Sequence, residues 1–215
     1  MNIFLKPEIA QHYDEYYQTE FGKKIDRIEK EIISALLRNI SRKEMLELGC
    51  GTGHWTHYFT QQGFDVTAID NSEEMLKIAK NKRINAKFLN VNSQKLPFEN
   101  ESFNTVSSIT MLEFVDNQEA VIKEVYRVLK KDGWLILGCL NANSIIGKNK
   151  EKDETFKNAN LVTVESLKSK LRIFNNEIVF KVGVHTKPNY EIVDNNDDTT
   201  GVEPVFIGTL IQKRA

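Results

Sequence analysis

The sequence predicts an α/β fold in which a mostly parallel sheet has helices on both faces. Two observations support this prediction. Short apolar runs alternate along the chain with stretches of helical periodicity, a pattern typical of parallel strands joined by crossover helices. The run at 134–140 is apolar throughout, as expected for a strand that is covered on both faces. A chain of 215 residues, 40% of them apolar, is long enough for one domain with its own core.

The first predicted elements lead into a glycine-rich loop. Residues 1–20 are an aromatic lead-in without a strand pattern, and apolar positions between 22 and 40 recur at the spacing of an amphipathic helix. Residues 45–48 are predicted to form a short strand that runs into the loop. The helix after the loop is expected to stop at Gly63, because glycine is favoured just beyond a helix end.

The strand and helix unit then repeats along the chain. A strand at 64–69 ends at Asp70, and Asn71 or Ser72 is expected to cap a helix that runs to Lys82, with two glutamates in its first turn. The next predicted elements are, in order, strands at 86–91 and 103–109, a helix at 118–131 and the strand at 134–140.

The pattern changes after residue 140. Residues 141–160 are rich in Asn and Lys and are expected to form a mobile insertion. A short helix is predicted at 163–171 and two closing strands at 177–184 and 205–211, with a polar, acidic loop between these strands. The sequence contains no internal repeat and no sign of a second hydrophobic core, so we predict a single domain.

The stretch at 45–55, MLELGCGTGHW, places Gly49, Gly51 and Gly53 directly behind a predicted strand. Glycine is favoured where a ligand approaches the main chain, and a strand that turns sharply into a helix is expected to direct backbone N–H groups into a crevice. Asp70 ends the next strand, about 20 residues on, where a carboxylate can accept both hydroxyls of a ribose. These residues predict a nucleoside-binding site.

A dinucleotide is the competing ligand for such a loop. Its fingerprint is G-x-G-x-x-G, whereas this chain has G-x-G-x-G from Gly49 to Gly53, with His54 at the sixth position. The missing glycine and the acidic Glu47 before the loop disfavour a pyrophosphate and favour a cationic ligand. S-adenosylmethionine has a ribose, no phosphate and a sulfonium, so it fits better than a nicotinamide dinucleotide.

Five sequence blocks in order resemble the class I S-adenosylmethionine-dependent methyltransferases of the small-molecule-like type. The blocks are LELGCGTG at 46–53, VTAIDNSEEML at 66–76, LPF at 96–98, SFNTVSSITMLEFV at 102–115 and EVYRVLKKDGWLIL at 124–137. The resemblance covers residues 40–140 well and the flanks more loosely. It implies a Rossmann-like, doubly wound sheet of seven strands, mostly parallel with an antiparallel closing strand. It also implies an N-terminal lid and helix at 1–40 and substrate-side insertions at 141–160 and 185–202.

The resemblance implies which residues bind S-adenosylmethionine. The glycine loop would surround the methionine moiety, Asp70 the ribose, and Asn71 with Met75 the adenine. Asn92 stands where the family often has Asp, and its carbonyl can still accept from the adenine amino group. The predicted cofactor-binding residues are Tyr13, Glu47, Gly49, Cys50, Gly51, Gly53, Asp70, Asn71, Met75, Asn92, Ser93 and Ile109.

The sequence does not identify the catalytic residues or those that bind the methyl acceptor. Tyr13 or Tyr17 is expected either to close over the cofactor or to pack on the first helix. Glu113 follows the fourth strand, where relatives frequently carry His, and it either reaches a substrate amine or faces water. His12, His57 and His185 are each either a candidate base or an ordinary surface residue. The four histidines of the chain do not have the spacing of metal ligands, so no metal site is predicted.

Net charge, apolar runs and cysteine count limit the kinds of partner that the protein is expected to have. A net charge of −1 makes a nucleic acid an unfavoured partner, although RNA or protein as the methyl acceptor stays open. The absence of a long apolar run and of a secretory signal predicts a cytoplasmic protein without a membrane partner. Two lone cysteines predict no disulfide. The sequence therefore predicts a methyltransferase for a small-molecule acceptor. It leaves open whether the protein is a monomer or a homodimer. The alternatives are a catalytically silent cofactor-binding subunit and a nicotinamide-dependent oxidoreductase.

Overall fold

A seven-stranded sheet is the centre of the computed structural model, which describes residues 3–187, 191–193 and 201–214. In chain order the strands are β1 Glu44–Leu48, β2 Asp65–Asp70, β3 Lys87–Asn90, β4 Phe103–Ile109, β5 Leu129–Leu140, β6 Ile178–His185 and β7 Pro204–Gln212. The helices are α1 Pro7–His12, α2 Glu20–Leu37, α3 His54–Gln61, α4 Glu73–Asn81, α5 Gln118–Val128, α6 Ile145–Lys148 and α7 Val164–Lys170. Short 3-10 helices cover Ile3–Leu5, Tyr13–Gln18, Leu112–Phe114, Lys150–Lys152 and Leu171–Phe174.

The strand order is β3-β2-β1-β4-β5-β7-β6. Strands β1 to β5 pair in parallel, and β7 pairs antiparallel with both β5 and β6. The predicted Rossmann-like sheet with one antiparallel closing strand is therefore confirmed. The chain runs outward from β1 to β3 and then returns to the other side of β1 as β4. This reversal of strand order is the place where open α/β sheets bind ligands, outside the carboxyl ends of the strands.

Helices cover both faces of the sheet, as predicted. The apolar side of α2 packs with α3 and the large rings Trp55 and Phe59 in one buried cluster. On the other face, α5 packs with α7 and Phe174 in a second cluster. The apolar stripe of α2, with Ile33 at 0% exposure, is buried in this core. Ser72 caps α4 by accepting the backbone N–H of Met75, which confirms one of the two predicted caps.

The end of α5 differs from the prediction. The helix predicted at 118–131 ends at Val128, and β5 begins at Leu129 rather than at residue 134. Leu129 has an extended backbone and pairs with Phe103 ahead of an irregularity in the β4–β5 ladder. Its side chain is fully buried. Burial of Leu129 in the sheet core thus overrides the helical propensity of the two lysines that follow it.

The segment predicted as a mobile insertion is folded into short helices. Residues 141–160 contain α6 and the turn Lys150–Lys152, and Ala159 is buried. The Ala142 N–H donates to the carbonyl of Val162, which joins the two ends of the segment. Residues 188–190 and 194–200 of the predicted loop 185–202 lie outside the described residues. Within the described residues, no helix has the length and apolar character needed to cross a membrane.

Candidate functional site

A cavity of about 330 Å³ lies at the carboxyl edge of the sheet. Residues at the ends of four neighbouring strands line it: Gly49 after β1, Asp70 at the end of β2, Val91 after β3 and Thr110 after β4. The volume falls within the range of roughly 300–1,000 Å³ that is typical of small-molecule sites. The cavity thus lies at the reversal of strand order, where the parallel sheet opens.

Most of the predicted cofactor-binding residues meet at this cavity, and four do not. The residues that line it are Tyr13, Gly49, Gly51, Asp70, Asn71, Met75, Asn92 and Ser93. The predicted residues that do not line it are Glu47, Cys50, Gly53 and Ile109.

Asp70 connects the cavity to the glycine loop. Its Oδ2 accepts the backbone N–H of Gly51 at 2.8 Å, and its Oδ1 accepts the backbone N–H of Ser72 at 2.8 Å. Burial raises the pKa of Asp70, and these N–H groups oppose that shift because they stabilise the charged form. The backbone N–H of Asn71 acts in the same way. A carboxylate offers about four acceptor positions, so acceptor capacity remains for a ligand. Asp70 therefore fixes the loop and also faces the cavity.

The N–H groups of the glycine loop do not point into the crevice, contrary to the prediction. Gly49 and Cys50 both donate to the carbonyl of Ile69, at 2.8 and 3.0 Å, and Gly53 donates to the carbonyl of Cys50. The Gly51 N–H is held by Asp70. Because these donors are used inside the protein, the loop offers a ligand its bare main-chain surface and not a phosphate cradle. This arrangement disfavours the dinucleotide alternative.

Glu47 lies beneath the loop rather than at the cavity. The alternation of side chains along β1 turns it inward, and only 2% of the residue is exposed. Its Oε2 accepts the hydroxyl of Thr56 at 2.6 Å. Burial raises the pKa of Glu47 to about 8, with repulsion by Asp70 as a smaller cause and the Thr56 bond opposing it. Its observed contact therefore joins β1 to α3.

The other three residues outside the cavity are part of the packing around it. The side chain of Cys50 is buried with the core of α2 and α3, and Ile109 is buried in the same cluster at the end of β4. Gly53 precedes α3 with a φ of 83°, and a Cβ there would lie 2.8 Å from the side chain of Ile84. It allows α3 to pack closely against the segment after α4.

Two residues that line the cavity belong to the region predicted for adenine. Met75 is 2% exposed and contributes its side chain from α4. Asn92 also lines the wall, but its side-chain carbonyl already accepts the backbone N–H of Gln94 at 2.9 Å. One lone pair of that carbonyl and the amide N–H groups remain for a ligand.

The N-terminal segment covers the cavity from one side. Phe4 and Tyr13 line it and contact each other edge to face at 5.9 Å. Asp14 anchors this segment: its Oδ1 accepts the hydroxyl of Thr52 at 2.7 Å, and its Oδ2 pairs with Lys82 at 2.6 Å. Tyr17 does not line the cavity but stacks on the ring of His54 at 3.6 Å. Of the two predicted tyrosines, only Tyr13 is at the site.

The loop after β4 supplies cavity residues that the sequence reasoning missed. Thr110 has a φ of 48°, a conformation that β-branched residues rarely adopt, and its N–H donates to the carbonyl of Gly138. This turn places Met111 against Gly49, where a Cβ on the glycine would lie 2.1 Å from Met111 Cγ. Phe114 lines the cavity beyond it. The carboxyl end of β4 was the available signal, whereas no local pattern indicated Phe4.

The remaining candidates for catalysis have ordinary surroundings, with one exception. His12 is exposed beside Glu15, and His57 contacts Gln61. In the described ranges, no group of three or more His, Cys, Asp or Glu side chains could hold a metal ion. Glu113 is the exception, because it is fully buried. The prediction that Glu113 faces water is therefore wrong.

The chain is similar to known proteins in sequence and in fold. Residues 46–137 match the family model described as methyltransferase domain. An uncharacterised protein of Methanocaldococcus jannaschii, MJ1123, is 32% identical over 201 residues, which cover 92% of this chain and 90% of that protein. The matched blocks contain the glycine loop, Asp70 and the loop after β4.

Two further matches extend over different lengths. Demethylmenaquinone methyltransferase of Lactococcus lactis is 38% identical over 100 residues, which are 43% of this chain and 40% of that protein. A crystal structure from Thermotoga maritima, described as a SAM-dependent methyltransferase and possible histamine N-methyltransferase, superposes with a TM-score of 0.73 at 24% identity. That superposition covers 99% of this chain and all of the other. The superposition with the Thermotoga maritima structure shows that the two proteins share a fold.

Proposed function

Because the chain belongs to the class I S-adenosylmethionine-dependent methyltransferase family, we propose that it transfers a methyl group to a small-molecule acceptor. Its cofactor is S-adenosylmethionine. When bound, the cofactor would supply an electrophilic methyl group, with a neutral thioether as the leaving group. The protein's task is to hold methyl and acceptor in line, and such orientation supplies on the order of 7–11 kcal/mol.

One observation carries the proposal: the Asp70 carboxylate and the bare main chain of Gly49 and Gly51 face the same cavity. The acceptor capacity that Asp70 keeps beyond its backbone contacts suits a ribose hydroxyl. The loop, whose donors are used internally, suits a ligand without phosphates. We assign the methionine moiety to the glycine side and the adenine to the side of Met75 and Asn92. Tyr13 then closes over the cofactor from the N-terminal lid.

The acceptor is assigned to the other end of the cavity. We assign to this part of the cavity the apolar lining residues Phe4, Leu5, Phe114 and Val115. A cavity of about 330 Å³ lies within the size range of small-molecule sites, which supports a small acceptor. The name demethylmenaquinone methyltransferase describes a relative that acts on a small molecule, which supports the same class here.

The test has two parts. Titration calorimetry with S-adenosylmethionine is expected to give saturable binding to the wild-type protein. Incubation of the protein with methyl-tritiated S-adenosylmethionine and a cell extract is then expected to label material that passes a small-pore filter. Label in RNA or protein would reject the small-molecule acceptor. Cofactor binding without label in any fraction would instead favour a silent cofactor-binding subunit.

A further inference from the structure

One outer edge of the sheet is formed by β6, a strand of eight residues. β6 pairs only with β7 among the described strands. Near its carboxyl end the Val193 N–H donates to the His185 carbonyl, but no second strand of the described residues lies beside 178–184. An edge strand presents unpaired backbone N–H and C=O groups, which form a template for pairing with another strand. The opposite edge, β3, offers only four residues.

Apolar side chains are exposed along the same edge. Val179 is 44% exposed and Val182 is 46% exposed, and they are two of the six large apolar side chains that are exposed in the described part of the chain. Helix α2 covers one face near Gly183, where an added Cβ would lie 2.6 Å from Ile32 Cδ1. Val179 and Lys181 share that face by alternation, yet both are exposed, so the cover by α2 ends before them. The first half of β6 therefore combines a free backbone edge with apolar surface.

Two opposite charges lie at equal distances from Val179 along the chain. Glu177 and Lys181 are each two residues away from it and exposed, and within the described ranges neither forms an ion pair. Alternation along the strand, continued to Glu177, places all three side chains on one face. When two copies of this segment run antiparallel with Val179 opposite Val179, Glu177 of each copy lies opposite Lys181 of the other. In the same register Ile178 lies opposite Phe180.

Other registers of the same strand fit less well. A symmetric antiparallel pair is centred on one residue, because a twofold axis perpendicular to the sheet keeps each side chain on its own face. Centring on Lys181 places two ammonium groups directly opposite each other, which is destabilising. Centring on Phe180 leaves Lys181 opposite Val179 and Glu177 opposite Gly183. The charges therefore favour Val179 as the centre of the pair.

We propose that β6 is the interface of a homodimer, in which the β6 strands of two copies pair antiparallel about Val179. The two sheets then form one continuous sheet across the interface. Cross-strand pairs of opposite charge, and of an aromatic with a β-branched side chain, stabilise such a pairing. The same surface serves both copies, as a twofold-symmetric interface requires. No residue of β6 lines the cavity, so this inference does not depend on the proposed methyl transfer.

Sedimentation equilibrium at several protein concentrations and low ionic strength measures the association, since salt screens exposed charges. Wild type is expected to reach twice the mass of the chain. Lys181→Glu places two pairs of carboxylates opposite each other, so the dimer dissociation constant is expected to rise about tenfold or more. The double variant Glu177→Lys with Lys181→Glu exchanges the charges and is expected to return to within about threefold of wild type. Lys131→Glu, at an exposed position of β5, is the control and should dimerise as wild type does.

Hydrogen exchange of the backbone amides at 178–184 tests where the interface lies. Their protection is expected to rise with protein concentration in wild type, and to be lost in Lys181→Glu at a concentration where wild type is protected. A wild type that stays monomeric, a dimer that Lys181→Glu leaves intact, or a double variant that is not restored would overturn the inference. Full protection of these amides in the monomer would also overturn it, because another segment of the same chain would then cover the edge.

Discussion

The carboxylate of Asp70 holds the backbone N–H of Gly51 at 2.8 Å, so the acid that ends β2 fixes the loop that follows β1. The same carboxylate faces the cavity. Its structural bond and its proposed bond to a ribose use different lone pairs, because a carboxylate has about four acceptor positions. Loop shape and ligand contact therefore depend on one side chain.

Asp70→Ala is expected to raise the dissociation constant for S-adenosylmethionine by about 10- to 150-fold. Hydrogen bonds to a charged group contribute roughly 1.5–3 kcal/mol, and the substitution removes the ribose contact together with the support of Gly51. Titration calorimetry measures the change. Asp65→Ala, at the exposed start of the same strand, serves as the control and should bind normally. Equal affinities for the two variants would contradict the assigned role of Asp70.

Gly49→Ala is expected to reduce both stability and cofactor affinity. Gly49 has a φ of 69°, and an added Cβ would lie 2.1 Å from Met111 Cγ. Overpacking of this kind costs about 1–3 kcal/mol in addition to the cost of the left-handed conformation. Gly63→Ala is the matched control, because its φ is 81° but nothing lies within 4 Å of the added atom. Urea denaturation should show a clearly larger loss of unfolding free energy for Gly49→Ala than for Gly63→Ala. Equal losses would show that the Met111 side chain moves to accommodate the added Cβ.

Asp14→Asn is expected to speed the release of S-adenosylmethionine. Asp14 joins the N-terminal segment to the glycine loop through Thr52 and to the end of α4 through Lys82. The Lys82 pair is about one-third exposed, so its contribution is small, and a release rate about 3- to 10-fold faster is expected. Stopped-flow displacement with S-adenosylhomocysteine measures the rate. Glu15→Gln, on the exposed side of the same turn, should leave it unchanged. An unchanged rate in Asp14→Asn would mean that the segment does not retain the cofactor.

Glu47→Gln is expected to flatten the dependence of stability on pH. Burial raises the pKa of Glu47 to about 8 in the folded protein, above its ordinary value of 4.5. Between these values the folded state binds more protons than the unfolded state, so the free energy of unfolding falls as the pH rises. One such group contributes a slope of up to about 1.4 kcal/mol per pH unit.

Urea denaturation at several pH values from 5 to 8 tests this prediction. Glu29 and Glu113 titrate in the same direction in both proteins, so the substitution reduces the slope without removing it. The Gln carbonyl keeps an acceptor for the Thr56 hydroxyl. Glu44→Gln, at the exposed end of β1, is the control and should retain the wild-type slope. Parallel curves for wild type and Glu47→Gln would show that Glu47 is not the titrating group.

Local patterns predicted most of the fold and much of the candidate site. The strand at 103–109 was predicted with its observed bounds. The helix that begins at residue 118 was predicted to extend three residues too far. The lysines after Val128 favour a helix, and the sequence did not show that Leu129 is buried in the sheet. At the site, Asp70 and the glycines follow strands, and residues in that position meet at one edge of a parallel sheet.

By itself, the sequence determined the sheet, the glycine loop and the acid opposite it, because these depend on periodicity and spacing along the chain. Only the tertiary structure decided that Glu47 lies beneath the loop and that the loop's N–H groups are used internally. It also decided that one oxygen of Glu113 has no hydrogen-bond partner among the described residues. A carboxyl group loses its water only when distant elements close around it. Its charge, its partners and its chemistry are therefore properties of the packed molecule.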